Sequence, residues 1–224
     1  MRIGIIAYDT NHLKTEQLVL SYVNNPAIDS ITIFALSFVQ RPKRNITFEH
    51  RPEQSEAIQV SDLTNFDKVT FQRWDGKQNL PKSIDCHIIT GAGIIDVSLA
   101  QGVPIVNAHP GIIPTTRGLD SFKWAILDND PIGVTLHFID QEVDKGEVLT
   151  IQQTPVFPSD SIQLVARRHY ECEIDLMKNI PELLGQRETS FGEEKPAKMR
   201  MPLNIEKTML ANFQHWKSLY AGTH

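Results

Sequence analysis

Apolar residues crowd the start of the chain, Arg2-Ile3-Gly4-Ile5-Ile6-Ala7, then thin out to Leu13, Leu18, Leu20, Tyr22 and Val23. The dense run predicts a short buried strand. The spaced one predicts a helix over Leu13 to Asn24, stopped at Asn25-Pro26 because proline disfavours helix in the residue before it. Ser30 to Leu36 alternates and is β-branched, a second strand that a helical crossover makes parallel to the first. From Phe38 to Gln54 the chain is basic and broken by proline (Arg41, Pro42, Lys43, Arg44, Arg51, Pro52). That stretch reads as surface loop with at most short strands, and Gln59 to Trp74 has no firm pattern. Ile84 to Thr90 is apolar enough for a strand covered on both faces and ends at Gly91-Ala92-Gly93. A short helix over Ile94 to Gln101, a buried strand over Pro104 to Asn107 and a helix over Leu119 to Asp128 follow. Strands at Gly133 to Ile139 and Val148 to Gln153 flank a polar turn. Asp160 or Ser161 can then cap a long helix running to about Asn179.

Strands alternating with helices predict an α/β class, a Rossmann-like, mostly parallel central sheet flanked by helices. The 224 residues, 41% of them hydrophobic, suffice for one full core. Residues 1–184 are therefore expected to form the main domain, and 185–224 a polar C-terminal extension ending in a helix over Leu203 to Leu219. The apolar positions of that helix, Leu203, Met209, Leu210, Phe213 and Trp216, can close over the core or pair two copies as a homodimer. A net charge of −5 argues against nucleic acid as a partner. No apolar stretch nears the roughly 18 residues that span a bilayer. Met1 to Tyr8 meets Asp9 at once, without a basic leader or cleavage site. A soluble, cytoplasmic protein without a membrane partner is the expectation. Cys86 and Cys172, far apart and outside any CxxC spacing, fit reduced thiols.

In an open parallel sheet, ligands gather beyond the carboxyl ends of the strands. Val103-Pro104-Ile105-Val106 runs into Asn107-Ala108-His109-Pro110-Gly111. If the pleat continues, Asn107 and His109 face the same side and converge on one small group. By itself such a pair is more often a capped turn beside a surface histidine. Asp140, Glu142 and Asp144 lie in the turn after Phe138-Ile139, where acidic residues commonly bond only local backbone or water. The eight histidines show neither HxH nor HExxH spacing, and no metal is expected.

Taken in order, Asn107-Ala108-His109-Pro110-Gly111-Ile112-Ile113-Pro114, Arg117-Gly118, Gly133-Val134-Thr135-Leu136-His137-Phe138 and Asp144-Lys145-Gly146 closely resemble the folate-dependent formyltransferases. That family includes glycinamide ribonucleotide transformylase, methionyl-tRNA formyltransferase and the sugar N-formyltransferases. The resemblance covers about Ile84 to Leu184. It implies an enzyme with 10-formyltetrahydrofolate as formyl donor and Asn107, His109 and Asp144 as its catalytic set. The side-chain chemistry agrees. Asn107 can donate to the formyl oxygen as that oxygen gains charge. His109 can do the same when protonated, a form Asp144 favours by attraction, or pass protons when neutral. Asp144 can accept the proton the attacking amine loses, or serve only to orient His109. The family places the pterin against backbone that maps to Ala92-Gly93-Ile94-Ile95 and Asp140-Gln141-Glu142-Val143. Glycine permits close approach and the isoleucines supply an apolar wall, although the same residues would serve as a strand-to-helix turn and core.

Departures from the family members sort the acceptor amine. Glycinamide ribonucleotide transformylase carries a glycine-serine-asparagine-rich phosphate loop after its first strand. This chain has Tyr8-Asp9-Thr10-Asn11-His12 there, without glycine and with a carboxylate that repels phosphate. The basic C-terminal domain of methionyl-tRNA formyltransferase has no counterpart in the forty or so residues after the long helix. Arg117-Gly118-Leu119-Asp120-Ser121-Phe122-Lys123-Trp124-Ala125 looks most like the sugar N-formyltransferases. Those act on nucleotide-linked deoxyamino sugars in bacterial surface-polysaccharide (lipopolysaccharide O-antigen) synthesis. Trp124 can stack on such a substrate, Arg117 and Lys123 can meet its phosphates, and Asn11 and Lys14 can contact it from the early loop. Each of these is otherwise a packing or solvated residue. The alternatives kept open are glycinamide ribonucleotide as acceptor, transfer of formyl to water, and a folate-binding domain without turnover.

Overall fold

The computed structural model describes residues 1–222 except 41, 43, 143 and 191. Among them, seven strands form one sheet: β1 Arg2–Tyr8, β2 Ser30–Leu36, β3 Val69–Arg73, β4 Cys86–Ile89, β5 Ile105–His109, β6 Gly133–Phe138 and β7 Val148–Gln153. Their order is β3-β2-β1-β4-β5-β6-β7. Pairing is parallel from β3 through β5 and antiparallel at β5-β6 and β6-β7, so the α/β class with a mostly parallel sheet holds. The helices are α1 Leu13–Val23, α2 Ser121–Asp128, α3 Ile162–Lys178, α4 Ile180–Leu183 and α5 Leu203–Tyr220. Two stretches depart from the sequence pattern. The helix expected near Ile94 to Gln101 is one 3-10 turn, Val97–Ala100. The unassigned stretch from Gln59 holds a 3-10 turn, Val60–Asn65, and edge strand β3, of which only Val69 is fully buried.

Both faces of the sheet are covered, which is why its inner strands are almost continuously apolar. Ile3, Ile5 and Ala7 of β1 pack with Leu18, Val19 and Tyr22 of α1 and with Cys172, Leu176 and Met177 of α3. Ile6 points the other way, toward Phe34, Trp74 and Ile105. Helix α3 begins at the cap read from sequence: Ser161 Oγ accepts from the Leu164 amide at 3.3 Å. A third cluster joins Phe122 and Ile126 of α2, Val165 of α3 and Met209, Phe213 and Trp216 of α5, so the terminal helix closes over the core. No helix among the described residues is long and apolar enough to cross a membrane.

The chain builds β2 and β3 on one side of β1, then β4 to β7 on the other. At such a switch point the connections diverge, and a crevice opens at the carboxyl ends of β1 and β4.

Candidate active site

Strand β5 continues past Asn107 to His109, so the pleat persists and both side chains share the face of Ile105. Val106 and Ala108 point into the opposite core. Antiparallel pairing sets Asn107 opposite His137 and His109 opposite Thr135. Asn107 Nδ2 donates to His137 Nε2 at 3.3 Å, while His137 Nδ1 donates to the Phe138 carbonyl at 2.9 Å. Burial, with the nearby His109, holds the His137 pKa down at about 4 against the pull of Asp144. A neutral ring with its proton on Nδ1 is thus a fixed acceptor for Asn107. One Asn107 N–H is oriented by that bond and the other remains to donate.

His109 is buried, and each of its nitrogens faces an acceptor. Nε2 lies 2.9 Å from the Thr116 carbonyl and 3.2 Å from Ser121 Oγ, whose own proton goes to the Gly118 carbonyl. Nδ1 lies 3.4 Å from Asp144 Oδ1. The loop can approach this closely because residue 111 is glycine: a Cβ there would stand 2.7 Å from His109 Nε2. Thr135 pins the same loop, donating to the Gly111 carbonyl and accepting from the Ile113 amide. Asp144 adopts a left-handed backbone (φ 51°) that turns its carboxylate inward. Oδ2 accepts from the Gly118 amide at 2.9 Å, and Oδ1 also lies 3.9 Å from His137 Nε2. Asn107, His109, Asp144 and His137 therefore form one connected cluster at the edge of β5 and β6. Among the described residues no group of three or more metal-ligating side chains is placed to hold an ion.

Of the residues read as folate-binding, Ala92 and Ile95 pack, as Ile139 does, against the cluster that contains Ile105, while Ile94 is 89% exposed. Nothing lies within 4 Å of a Cβ built on Gly93. In the second segment Asp140 Oδ1 accepts from the Glu142 amide and Gln141 is exposed, and Val143 lies outside the described residues. A concavity of about 440 Å³ is lined by Val97, Ile105, Phe138 and Ile139 among others, and by no residue of either segment. A larger one of about 680 Å³ lies elsewhere, lined by residues of α1, α3 and the loop at 49–52.

The residues read as acceptor contacts are placed differently. Lys14 is buried with its Nζ 2.7 Å from Glu173 Oε1, and Arg51 takes the other carboxylate oxygen at 2.8 Å. Burial alone would push the Glu173 carboxyl up, but Arg51 and Lys14 override it and hold it at about 2. Lys123 is buried against Glu206 and donates to the Phe48 carbonyl. Arg117 meets Glu194 and the Lys195 carbonyl, Trp124 Nε1 donates to the Met199 carbonyl, and Asn11 donates to the Ala57 carbonyl. None of the five lies in the Asn107 cluster, although Arg117 directly precedes Gly118. His137, Thr135, Thr116 and Ser121 were not singled out from sequence. His137 was within reach, since it alternates with Thr135 on the strand that the motif Gly133 to Phe138 marks.

Residues 88–180 match the family model described as formyl transferase. Phosphoribosylglycinamide formyltransferase of Haemophilus influenzae is 38% identical over 73 residues, 32% of this chain and 34% of that protein. The dTDP-4-amino-4,6-dideoxyglucose formyltransferase of Mycobacterium tuberculosis is 31% identical over 110 residues, 49% of this chain and 46% of that protein. These matches span about a third to a half of the relatives' own length. A 4-N formyltransferase structure from Francisella tularensis shares the fold, with a TM-score of 0.64, 16% identity, and coverage of 95% of this chain and 87% of that one.

Proposed function

From the match of residues 88–180 to the formyl transferase family model, we propose that this protein moves a formyl group from 10-formyltetrahydrofolate to the amine of a nucleotide-linked deoxyamino sugar. The observation that carries the reading is the convergence of Asn107, His109 and Asp144 on one strand edge, with Asn107 held by a neutral His137. The folate supplies an electrophilic formyl carbon. In this reading its pterin lies against the backbone of residues 92–95 and 140–142, the segments the family resemblance marks, beside the apolar side chains of Ile105 and Ile139. Asn107 donates its free N–H to the oxygen that gains charge as the amine adds. His109 supports the same charge, Asp144 accepts the proton the amine loses as its bond to carbon forms, and the bond from the formyl carbon to the folate nitrogen then breaks, that nitrogen taking up a proton as tetrahydrofolate leaves.

The sugar acceptor is favoured by the longer match to the dTDP-sugar relative and by the residues that end β1. There Asp9 is retained, paired with Arg73 at 3.2 Å and accepting from Gln59, where a phosphate would meet a negative charge. Phosphoribosylglycinamide is the second reading, favoured by the higher identity of its shorter match. In this reading Lys14 and Lys123, each matched to a buried carboxylate, support the walls of the site, and Trp124 and Arg117 remain candidates at its rim. The test is mass spectrometry of purified protein with 10-formyltetrahydrofolate and either dTDP-4-amino-4,6-dideoxyglucose or glycinamide ribonucleotide. A 28-dalton gain on the sugar is expected. A gain on the ribonucleotide alone would transfer the assignment to purine chemistry, and formate release without either amine would make the protein a hydrolase.

A further inference from the structure

The crevice between β1 and β4 holds a polar chain that the catalytic set does not use. His12 occupies the N-cap position of α1, its carbonyl accepting from the Glu16 amide at 3.0 Å. Its ring folds back onto that helix, with Nδ1 2.7 Å from Thr15 Oγ1. Thr15 Oγ1 is 2.7 Å from Thr90 Oγ1, and Thr90 Oγ1 is 3.3 Å from the Ile6 carbonyl. The last group can only accept. All links are made at once in a single direction: Thr90 donates to Ile6, Thr15 donates to Thr90, and His12 Nδ1–H donates to Thr15. The proton of the neutral ring is then on Nδ1, and Nε2 carries a lone pair.

That lone pair lies close to Gly91, just past the strand that pairs with β5. Register places Asn107 beside Ile89 and Ile89 beside Ile6; the pairing of β4 ends at Ile89, and extended by two residues it would bring Gly91 alongside Tyr8 and His109. The contacts bear this out for the β1 side, because a Cβ on Gly91 would lie 3.0 Å from His12 Cε1, 3.3 Å from His12 Nε2 and 3.2 Å from Tyr8 Cδ2. His12 thus sits over Gly91, about 5 Å, one strand spacing, from the strand that carries Asn107 and His109. Nε2 makes no hydrogen bond to the described residues, and it is not among the fully buried, unpartnered atoms, so it borders the crevice. Burial, with Lys14 and Arg51 nearby, holds the ring pKa at about 4, so it stays uncharged at neutral pH.

We propose that His12 is an acceptor-binding residue, its Nε2 receiving a hydrogen bond from the N–H of the incoming amine or from a hydroxyl next to it. This rests on the formyl-transfer reading and deepens it. A neutral nitrogen lone pair at this place recognises a hydrogen-bond donor and gives nothing to a phosphate oxygen, in keeping with Asp9 on the same loop. Bound this way, the amine would be held with its own lone pair free for attack on carbon.

The test uses the full chain with ¹⁵N-labelled histidine, the His12 signals assigned with His12→Gln. Nitrogen NMR at neutral pH should report the Nδ1–H form, and an amine that the protein formylates should shift the Nε2 signal. In kinetics, His12→Ala should raise KM for that amine about tenfold or more while KM for folate stays within about twofold, the loss of one well-placed hydrogen bond. His12→Gln, which can offer Oε1, should recover part of it. An Nε2–H tautomer, an Nε2 signal unmoved by a formylated amine, or an unchanged amine KM in His12→Ala would overturn the assignment. Failure of the wild-type chain to formylate either amine would count against the proposed reaction instead, and the tautomer would still decide whether His12 presents an acceptor.

Discussion

Asn107 is useful only if its amide is fixed, and two neighbouring strands fix it. An unrestrained carboxamide rotates, whereas here Nδ2 is bonded to a ring that burial keeps neutral and that a backbone carbonyl keeps in one tautomer. Removing a prepositioned oxyanion donor typically costs about 10² to 10³ in kcat, and Asn107→Ala should show a loss of that order with folate binding intact by fluorescence titration. Retention of more than a tenth of the wild-type kcat would refute the role. His137→Phe should cost less, about tenfold in kcat, since it removes one hydrogen bond and leaves Asn107 in place. Steady-state assays should find both KM values within about twofold, and an unchanged kcat would mean that the Asn107–His137 bond is incidental. The asparagine, histidine and aspartate were legible as residue types in a recognisable order. The acceptor that orients the asparagine was not, because a cross-strand partner 30 positions away is a consequence of register and leaves no local pattern.

At the scale of elements, the segment before α5 reaches back to the loop that holds Asp144. The Lys198 amide donates to the Arg117 carbonyl at 3.0 Å and the Leu119 amide donates to the Lys198 carbonyl at 2.8 Å. Between them lies Gly118, at φ 88°, where a Cβ would overlap the Lys198 backbone. Its own amide bonds Asp144. This clamp sets the direction of an N–H that meets the carboxylate directly. Lys198→Pro removes the donor and should lower kcat about tenfold. Lys198→Ala keeps the backbone clamp and removes a partly exposed pair with Asp128, worth about 0–1 kcal/mol, and a cation–π contact with Trp124, so kcat should stay within about twofold. Equal losses in the two variants would assign the effect to the side chain. The sequence placed α1, β2, α2, α3 and α5 to within a few residues, since each has a strong period or a cap. It left β3 unassigned because an edge strand with one fully buried residue shows no alternation to read.

For the molecule as a whole, several histidines are buried uncharged, and acid should expose the cost. His87 has no exposed surface and neither ring nitrogen finds a partner; burial alone brings its pKa from 6.5 to about 4. His169 is likewise held near 4. Between those two values the unfolded chain binds a proton that the folded chain does not, so stability is full above about pH 6.5 and falls as pH drops toward 4. For His87 the loss is about 3 kcal/mol at most. Urea melts from pH 7.5 to 4.5 should show this slope, flattened in His87→Gln, and a wild-type profile flat over that range would contradict it. Trp216, fully buried and donating to the Asp130 carbonyl at 2.7 Å, ties α5 to the turn after α2. Trp216→Ala should cost about 3–5 kcal/mol in the same assay, and a loss below 1 kcal/mol would mean that the C-terminal extension docks weakly. By itself the sequence determined the α/β class and the order of most elements, and it singled out Asn107, His109 and Asp144 as the candidate set, because apolar periodicity, caps and a contiguous motif are local signals. Only the tertiary structure decided that Lys14 and Lys123 are matched to buried carboxylates, that Gly118 rather than a charged side chain holds Asp144, and that His12 overlies Gly91. Each of those depends on which distant residue arrives alongside, and that is set by sheet register and by the packing of helices across it.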